Sequence, residues 1–137
     1  MIIKVIPDRE KAESMLGMAE KTENALSQII AKIGLNENQS IIAREYYEAI
    51  RGLVTALLLF DGLKAVGEYA HKETIDYLSN YKEFSQDEIT AIQDLRIKRN
   101  KSSYEGKPIE SPYLENKKEK FDKILEKLKY VLRKRLR

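Results

Sequence analysis

Basic and polar side chains cluster near the end of one predicted helix, in the segment from Asp94 to Gly106. The inward stripe of this helix begins with Ile89, Ile92 and Leu95, and at 100° per residue it continues onto polar side chains. These polar members of the stripe are Arg96, Arg99 and Ser103, with Asn100 at its edge and Tyr104 one turn beyond Asn100. Because arginine is seldom buried without a partner, and because its planar fork binds phosphate in a bidentate way, this pattern indicates either an ion pair or a phosphate site.

Both interpretations of the buried arginine stay open at the level of sequence. In the first, Arg99 forms a structural ion pair with an acid of another helix, Glu45 or Glu48. In the second, the stripe lines a groove for phosphate. The reactive centre would then be Arg99, Asn100 and Tyr104, and the surrounding phosphate-binding side chains would be Arg96, Lys98, Lys101 and Ser103.

The chain has few of the residues that other kinds of catalytic or metal-binding site require. There is no cysteine, which excludes thiol nucleophiles, disulfide scaffolds and cysteine-ligated metals. A single histidine, His71, excludes a multi-histidine metal site, and we expect it to be a packing residue near a helix N-terminus. Glu45, Glu48 and Arg51 would form either a polar lining opposite the arginine segment or a solvated turn. We therefore predict no metal and no cofactor.

Helix signals divide the 137 residues into four long helices and a short one. The first runs from about residue 8 to 33, with Asp8 as N-cap, Gly34 as stop, and apolar positions at Met15, Met18, Thr22, Ala25, Ile29 and Ile33. The second is nearly all apolar at its centre and runs from about residue 40 to 66; the short third covers about 72–79. A capping box at Ser85 and Glu88 opens the fourth, which ends near Ser103. Ser111 and Pro112 open the fifth.

These elements predict an all-α fold, an antiparallel up-and-down helical bundle that forms one domain over residues 1–137. Strand signals are limited to the first six residues. The longest apolar run, from Leu53 to Phe60, is far shorter than the ~20 residues that span a bilayer. Without a targeting or membrane segment, the sequence favours a cytoplasmic protein.

The net charge of +3 is unevenly distributed along the chain. Residues 1–95 carry a net charge of −6, with 10 Lys/Arg and 16 Asp/Glu, whereas residues 96–137 carry +9, with 15 and 6. Such a basic last third indicates either an anionic partner, such as a nucleic acid or an acidic protein, or simply a solvated basic helix.

The order of motifs resembles the HEPN domains, especially the small prokaryotic and archaeal ones. The resemblance depends on Arg99-Asn100 followed by Tyr104 and Gly106, on the long apolar helix that starts at Tyr46, and on the stretch from Asp61-Gly62-Leu63-Lys64 through His71 to Tyr77-Leu78. It covers residues 8–133 in helix order and length. It implies a bundle that pairs as a homodimer, with the motif of each subunit in one shared cleft.

The resemblance also implies a function. Many HEPN proteins are metal-independent ribonucleases, often toxins paired with a minimal nucleotidyltransferase, and their motif places a histidine four to six residues after the arginine. Here Arg99 and Asn100 match that motif, but Tyr104 occupies the histidine position. A phenol of ordinary pKa near 10 is a poor base at pH 7, where about one in a thousand is ionised.

Three roles for this chain follow from the resemblance. One is an RNA- or nucleotide-binding protein with ribonuclease activity. The second is a catalytically silent adaptor or dimerisation module that pairs with the nucleotidyltransferase. In the third, Tyr104 would accept a nucleotide from that partner.

Overall fold

The helical bundle predicted from the sequence is confirmed. A computed structural model describes residues 1–110 and 112–137, so the predicted cap at Ser111 lies outside the described residues. The helices are α1 (Arg9–Lys32), α2 (Gln39–Phe60), α3 (Ala70–Asp76), α4 (Gln86–Glu105) and α5 (Pro112–Leu136), and a 3₁₀ turn, Tyr77–Asn80, follows α3. Two short strands, β1 (Ile2–Lys4) and β2 (Leu63–Ala65), complete the described elements. No helix within the described residues is both long and apolar enough to cross a membrane.

Helix α2 is the central element of the core, as its apolar centre predicts. Leu53, Val54, Leu57 and Leu58 are at most 1% exposed, and α1, α4 and α5 all pack against this helix. Arg51 and Glu48, one turn earlier, are only partly buried. The helix therefore carries its polar residues on a part of its surface that the other helices do not fully cover.

Helix α2 ends six residues earlier than the sequence predicts. The helix ends at Phe60, and the chain then turns through Gly62 into β2, which pairs antiparallel with β1. Gly62 has φ +75°, and a Cβ there would lie 2.9 Å from the carbonyl oxygen of Val5, so only glycine fits. Strand β2 was missed because its partner is the chain's N-terminus, some sixty residues away.

Predicted caps agree with the structure at two helix starts. Asp8 accepts a hydrogen bond from the Lys11 amide at 3.0 Å, and Ser85 and Glu88 form the reciprocal capping box. Gly106, with φ +68°, ends α4 two residues beyond the predicted end at Ser103. Helix α3 starts two residues earlier than predicted and tightens into the 3₁₀ turn that ends at Asn80.

The apolar stripe predicted on α1 is not the face that this helix buries. The buried residues of α1 are Ala12, Leu16, Ala19 and Leu26, whereas Met18 is 61% and Ile33 59% exposed. Met15 and Ile29 are partly buried against the core. The stripe is therefore a partly exposed apolar surface of the single chain.

Candidate functional site

Arg99 is held firmly on α4 by groups from two helices. Its Nη2 donates to Glu48 Oε1 of α2 at 3.0 Å, and its Nη1 donates to Asn100 Oδ1 and to the Tyr104 hydroxyl, each at 3.1 Å. The guanidinium carbon lies 5.5 Å from the ring centroids of both Tyr47 and Tyr104, within the range of a cation–π contact. Of the two sequence interpretations, the ion pair is confirmed, and its acid is Glu48; Glu45 pairs with Arg44.

Glu48 accepts hydrogen bonds from two arginines. Its other carboxylate oxygen accepts from Arg51 Nη2 at 2.7 Å, one turn along α2. Arg96, one turn before Arg99 on α4, donates through Nε to Gln93 Oε1 at 2.6 Å. Two guanidinium groups thus share one carboxylate and a third, that of Arg96, lies one turn from Arg99. We call Glu48, Arg51, Arg96 and Arg99 the arginine cluster.

The tyrosine beneath the cluster is fully buried and unpartnered. Tyr47 is 0% exposed, and its hydroxyl has no hydrogen-bond partner within the described part of the chain. Burial raises the pKa of Tyr47 to about 12, against the lowering effect of Arg51, Arg96 and Arg99. The hydroxyl therefore stays protonated at neutral pH, in the field of three cations, and is able to donate a hydrogen bond to an anion.

Two guanidinium groups of the cluster also keep unused donors. Among the described residues, the Nε atoms of Arg51 and Arg99 are buried and make no hydrogen bond. A buried donor without a partner costs about 1–3 kcal/mol, so bringing an acceptor to these atoms is favourable. An oxyanion has several acceptor oxygens and a charge that opposes the cluster's net charge of +2.

His71 also belongs to this site, although its position in the sequence did not predict this. It is the second residue of α3, and its ring centroid lies 6.5 Å from that of Tyr47. The expectation that His71 lies near a helix N-terminus is correct. The spacing of residues on one helix gave no signal that α3 would bring this imidazole beside arginines of α2 and α4.

Some of the predicted site residues make contacts within the chain, and the others are exposed to solvent. Arg99, Asn100 and Tyr104 are brought together, although Tyr104 is 74% exposed. Lys98 lies over the Tyr113 ring of α5, with Nζ 5.0 Å from the centroid. Lys101 and Ser103 are exposed, so the stripe that runs from leucine to arginine does not extend inward as far as Ser103.

The basic charge of α5 is largely neutralised within the chain. Five of its cations pair with acids of the first 95 residues: Lys120 with Asp87, Lys127 with Glu88, Lys129 with Glu23, Arg133 with Glu20 and Arg135 with Asp61. In contrast, among the four basic residues from Arg96 to Lys101, Arg99 alone has an ion-pair partner within the described ranges. Arg96, Lys98 and Lys101 therefore add positive charge next to Arg99 that no ion pair among the described residues neutralises.

A cavity lies elsewhere, between α1, α2 and α5. Its volume is about 390 Å³, and its lining includes Leu26, Ile30, Tyr46 and Asp122. The Tyr46 hydroxyl already donates to Asp122 at 2.7 Å, and Lys118 donates to the other oxygen of Asp122 at 2.7 Å. These polar groups satisfy one another, so the arginine cluster is the better candidate for binding a charged ligand.

Comparison with protein-family models, with curated proteins and with solved structures finds no match for this chain. A functional assignment therefore has to start from the geometry of the arginine cluster.

Proposed function

We propose that the protein binds the phosphate groups of RNA or of a nucleotide at the arginine cluster, as a HEPN-like protein. In this proposal it acts with a minimal nucleotidyltransferase, as a toxin-type component whose activity is metal-independent RNA cleavage. The observation that carries the proposal is the sharing of one carboxylate, Glu48, by two guanidinium groups next to a buried Tyr47 hydroxyl that has no hydrogen-bond partner among the described residues. A phosphate supplies the negative charge and the acceptor oxygens that this arrangement lacks.

The contacts of Tyr104 are relevant to the alternative function, a catalytically silent adaptor that pairs with a nucleotidyltransferase. Its hydroxyl accepts a hydrogen bond from Arg99, and its ring covers the guanidinium. These contacts position Arg99, a task that does not require the phenol to act as a base. An RNA-binding protein without cleavage is consistent with that role.

A binding and cleavage assay on a short fluorescent single-stranded RNA in EDTA tests this proposal. We expect binding that weakens with salt, because a cluster with a net charge of +2 releases counterions from about two phosphates and gives a log–log slope near −1.4. Fluorescence anisotropy measures the affinity, and a denaturing gel of the same samples detects cleavage.

The cleavage result separates the two candidate functions. If wild type cleaves, it is a ribonuclease; if only Tyr104→His cleaves, the native chain is a silent binder. Absence of RNA, nucleotide and phosphate binding at low salt would show that the proposal is wrong, and the protein-adaptor function would remain.

We further propose that the chain forms a homodimer through the partly exposed apolar stripe of α1. The stripe extends over about 27 Å from Met15 to Ile33, at 1.5 Å per residue. Met15, Met18 and Thr22 line a cavity of about 200 Å³ together with Glu48 and Gly52 of α2. A second copy seated there would lie next to the acid that holds Arg99, which is consistent with a cleft shared by two subunits.

Light scattering tests the dimer. Wild type should have about twice the 15.9 kDa chain mass at micromolar concentration, and Met18→Lys should shift the mass to that of a monomer, because a charge on the stripe opposes its burial. Asn24→Lys, which adds the same charge to the far side of α1, should remain dimeric. A monomeric wild type, or equal behaviour of the two variants, would contradict this interface.

A further inference from the structure

The imidazole of His71 lies beside the arginine cluster through contacts with α2 and α4. Its ring and the Arg99 guanidinium approach the same tyrosine, Tyr47, with centroid distances of 6.5 and 5.5 Å. Tyr47 is thus a common neighbour of the histidine and the arginine, and the charge of Arg99 reaches His71. A ligand bound by Arg99 next to Tyr47 would lie near His71.

A hydrogen-bond chain fixes α3 to α4 at the same place. Gln93 of α4 donates through Nε2 to the carbonyl oxygen of Lys72 at 2.9 Å and to Asp76 Oδ1 at 2.8 Å. The Oε1 atom of the same amide accepts from Arg96 Nε at 2.6 Å. Because Lys72 directly follows His71, this chain holds the first turn of α3 against Arg96.

The charges around His71 favour its neutral form. The pKa of the imidazole is lowered, first by loss of water on the side that packs against the protein and then by Arg51; Arg99 and Arg96 lower it further, and only Glu48 acts in the opposite direction. On its own helix, Lys72 is paired with Asp76, and Glu73 is paired with the N-terminal amine of Met1. A neutral imidazole at pH 7 is a proton acceptor.

We propose that His71 is the proton acceptor of the arginine cluster, taking the proton of a ribose 2′-hydroxyl next to the phosphate that the cluster binds. This inference rests on the proposed function, because it requires RNA phosphate at the cluster. It assigns to His71 the role that Tyr104 is poorly suited to perform.

The reaction balances without a metal or a redox partner. The 2′-hydroxyl gives its proton to His71 while its oxygen forms a bond to phosphorus and the bond from phosphorus to the 5′-oxygen breaks. The 5′-oxygen takes a proton from water, and the imidazolium returns its proton to solvent. The products are a 2′,3′-cyclic phosphate and a 5′-hydroxyl, and the arginines stabilise the negative charge of the crowded phosphorane.

The chain offers a direct measurement of this histidine. It contains one histidine, so a proton NMR titration shows a single set of imidazole signals that belongs to His71. Titrations are recorded without ligand, with saturating inorganic phosphate, and with a deoxy-dinucleotide, which carries the phosphodiester but no 2′-hydroxyl. We expect bound phosphate to raise the proton affinity of His71 about tenfold, because an anion then lies among the cations that oppose protonation.

Cleavage kinetics supply the second readout. His71→Asn keeps a polar side chain of similar size at an exposed position, and we expect it to bind the RNA like wild type while cleavage falls at least about 100-fold. The wild-type rate should rise with pH through the His71 titration, and the residual rate of the variant should lack that rise. Arg133→Ala, which removes an exposed arginine of α5, should match wild type in every measurement.

The outcomes separate this inference from the proposed function. If neither phosphate nor RNA binds, both fail. If RNA binds but the His71 titration does not respond to phosphate, if wild type does not cleave, or if His71→Asn cleaves at the wild-type rate, the proton-acceptor role is overturned and the binding function stands.

Discussion

Replacement of Arg99 by alanine is expected to weaken RNA binding by about one to two orders of magnitude. A hydrogen bond to a charged group contributes about 1.5–3 kcal/mol, and each 1.4 kcal/mol is a tenfold change in affinity. Arg99→Ala also removes the guanidinium that lies between the Tyr47 and Tyr104 rings, and it leaves Glu48 paired with Arg51 alone. The net charge of the cluster falls from +2 to +1. Fluorescence anisotropy over a series of salt concentrations measures the effect, and the log–log slope should become shallower by about 0.7.

Two matched variants separate the cluster from general surface charge. Arg133→Ala removes the same charge and also breaks an ion pair between helices, the one with Glu20 at 2.6 Å, yet it should leave affinity nearly unchanged. Glu48→Gln keeps the side-chain size but removes the carboxylate that competes with phosphate, so RNA should bind more tightly. If Arg99→Ala and Arg133→Ala weaken binding equally, the binding is diffuse and the arginine cluster is not the site. Circular dichroism of each variant confirms that the fold is retained.

Replacement of Phe121 by alanine should cost about 3–5 kcal/mol of unfolding free energy. The Phe121 side chain on α5 is 0% exposed, and its ring centroid lies 5.8 Å from that of Tyr46 and 6.2 Å from that of Tyr113. Truncation leaves a cavity between α2 and α5 that these rings cannot fill. A domain of this size has about 5–15 kcal/mol of stability in total, so the variant should be close to unfolding. Urea denaturation followed by circular dichroism measures the change.

Tyr130→Ala is the matched control for this substitution. Tyr130 is on the same helix but 60% exposed, with Lys134 over its ring, so its removal should change stability by about 0.5 kcal/mol or less. Equal effects of the two substitutions would mean that α5 does not pack into the core as described. Comparing Phe121→Ala with Tyr130→Ala also tests the placement of α2. Phe121 packs against Tyr46, which directly precedes Tyr47, the buried tyrosine of the candidate site.

Local signals in the sequence predicted the helices well, because their causes are local. The capping box at Ser85 and Glu88 and the cap at Asp8 involve residues within one turn of each other. The end of α2 was mispredicted because its cause is not local: Gly62 meets Val5, and β2 pairs with β1. Similarly, the spacing of the α1 stripe was recognised, but the face that is buried depends on how closely α1 approaches α2.

Only part of the candidate site could be found from one helix. Arg99, Asn100 and Tyr104 lie within six residues of one helix, and Asn100 and Tyr104 are one turn apart, so the sequence predicts that the three side chains lie near one another. Tyr47 and His71 come from α2 and α3, and nothing in their spacing indicates that both rings meet next to Arg99. Gln93, which links Arg96 to the carbonyl oxygen of Lys72, is an ordinary polar helix residue until the helices are packed.

The sequence by itself determined an all-α bundle, the apolar centre of α2, and an acidic body followed by a basic last third. The sequence left open whether that charge separation means an anionic partner or a solvated helix. Lys127, Lys129 and Arg133 pair with acids of the body, since close approach in the fold lets opposite charges meet. Tertiary structure alone decided which cations were neutralised, because sequence distance does not determine distance in space. It left Arg51 and Arg99 sharing Glu48, with Arg96 one turn from Arg99, and so brought three cations and one anion together at one site.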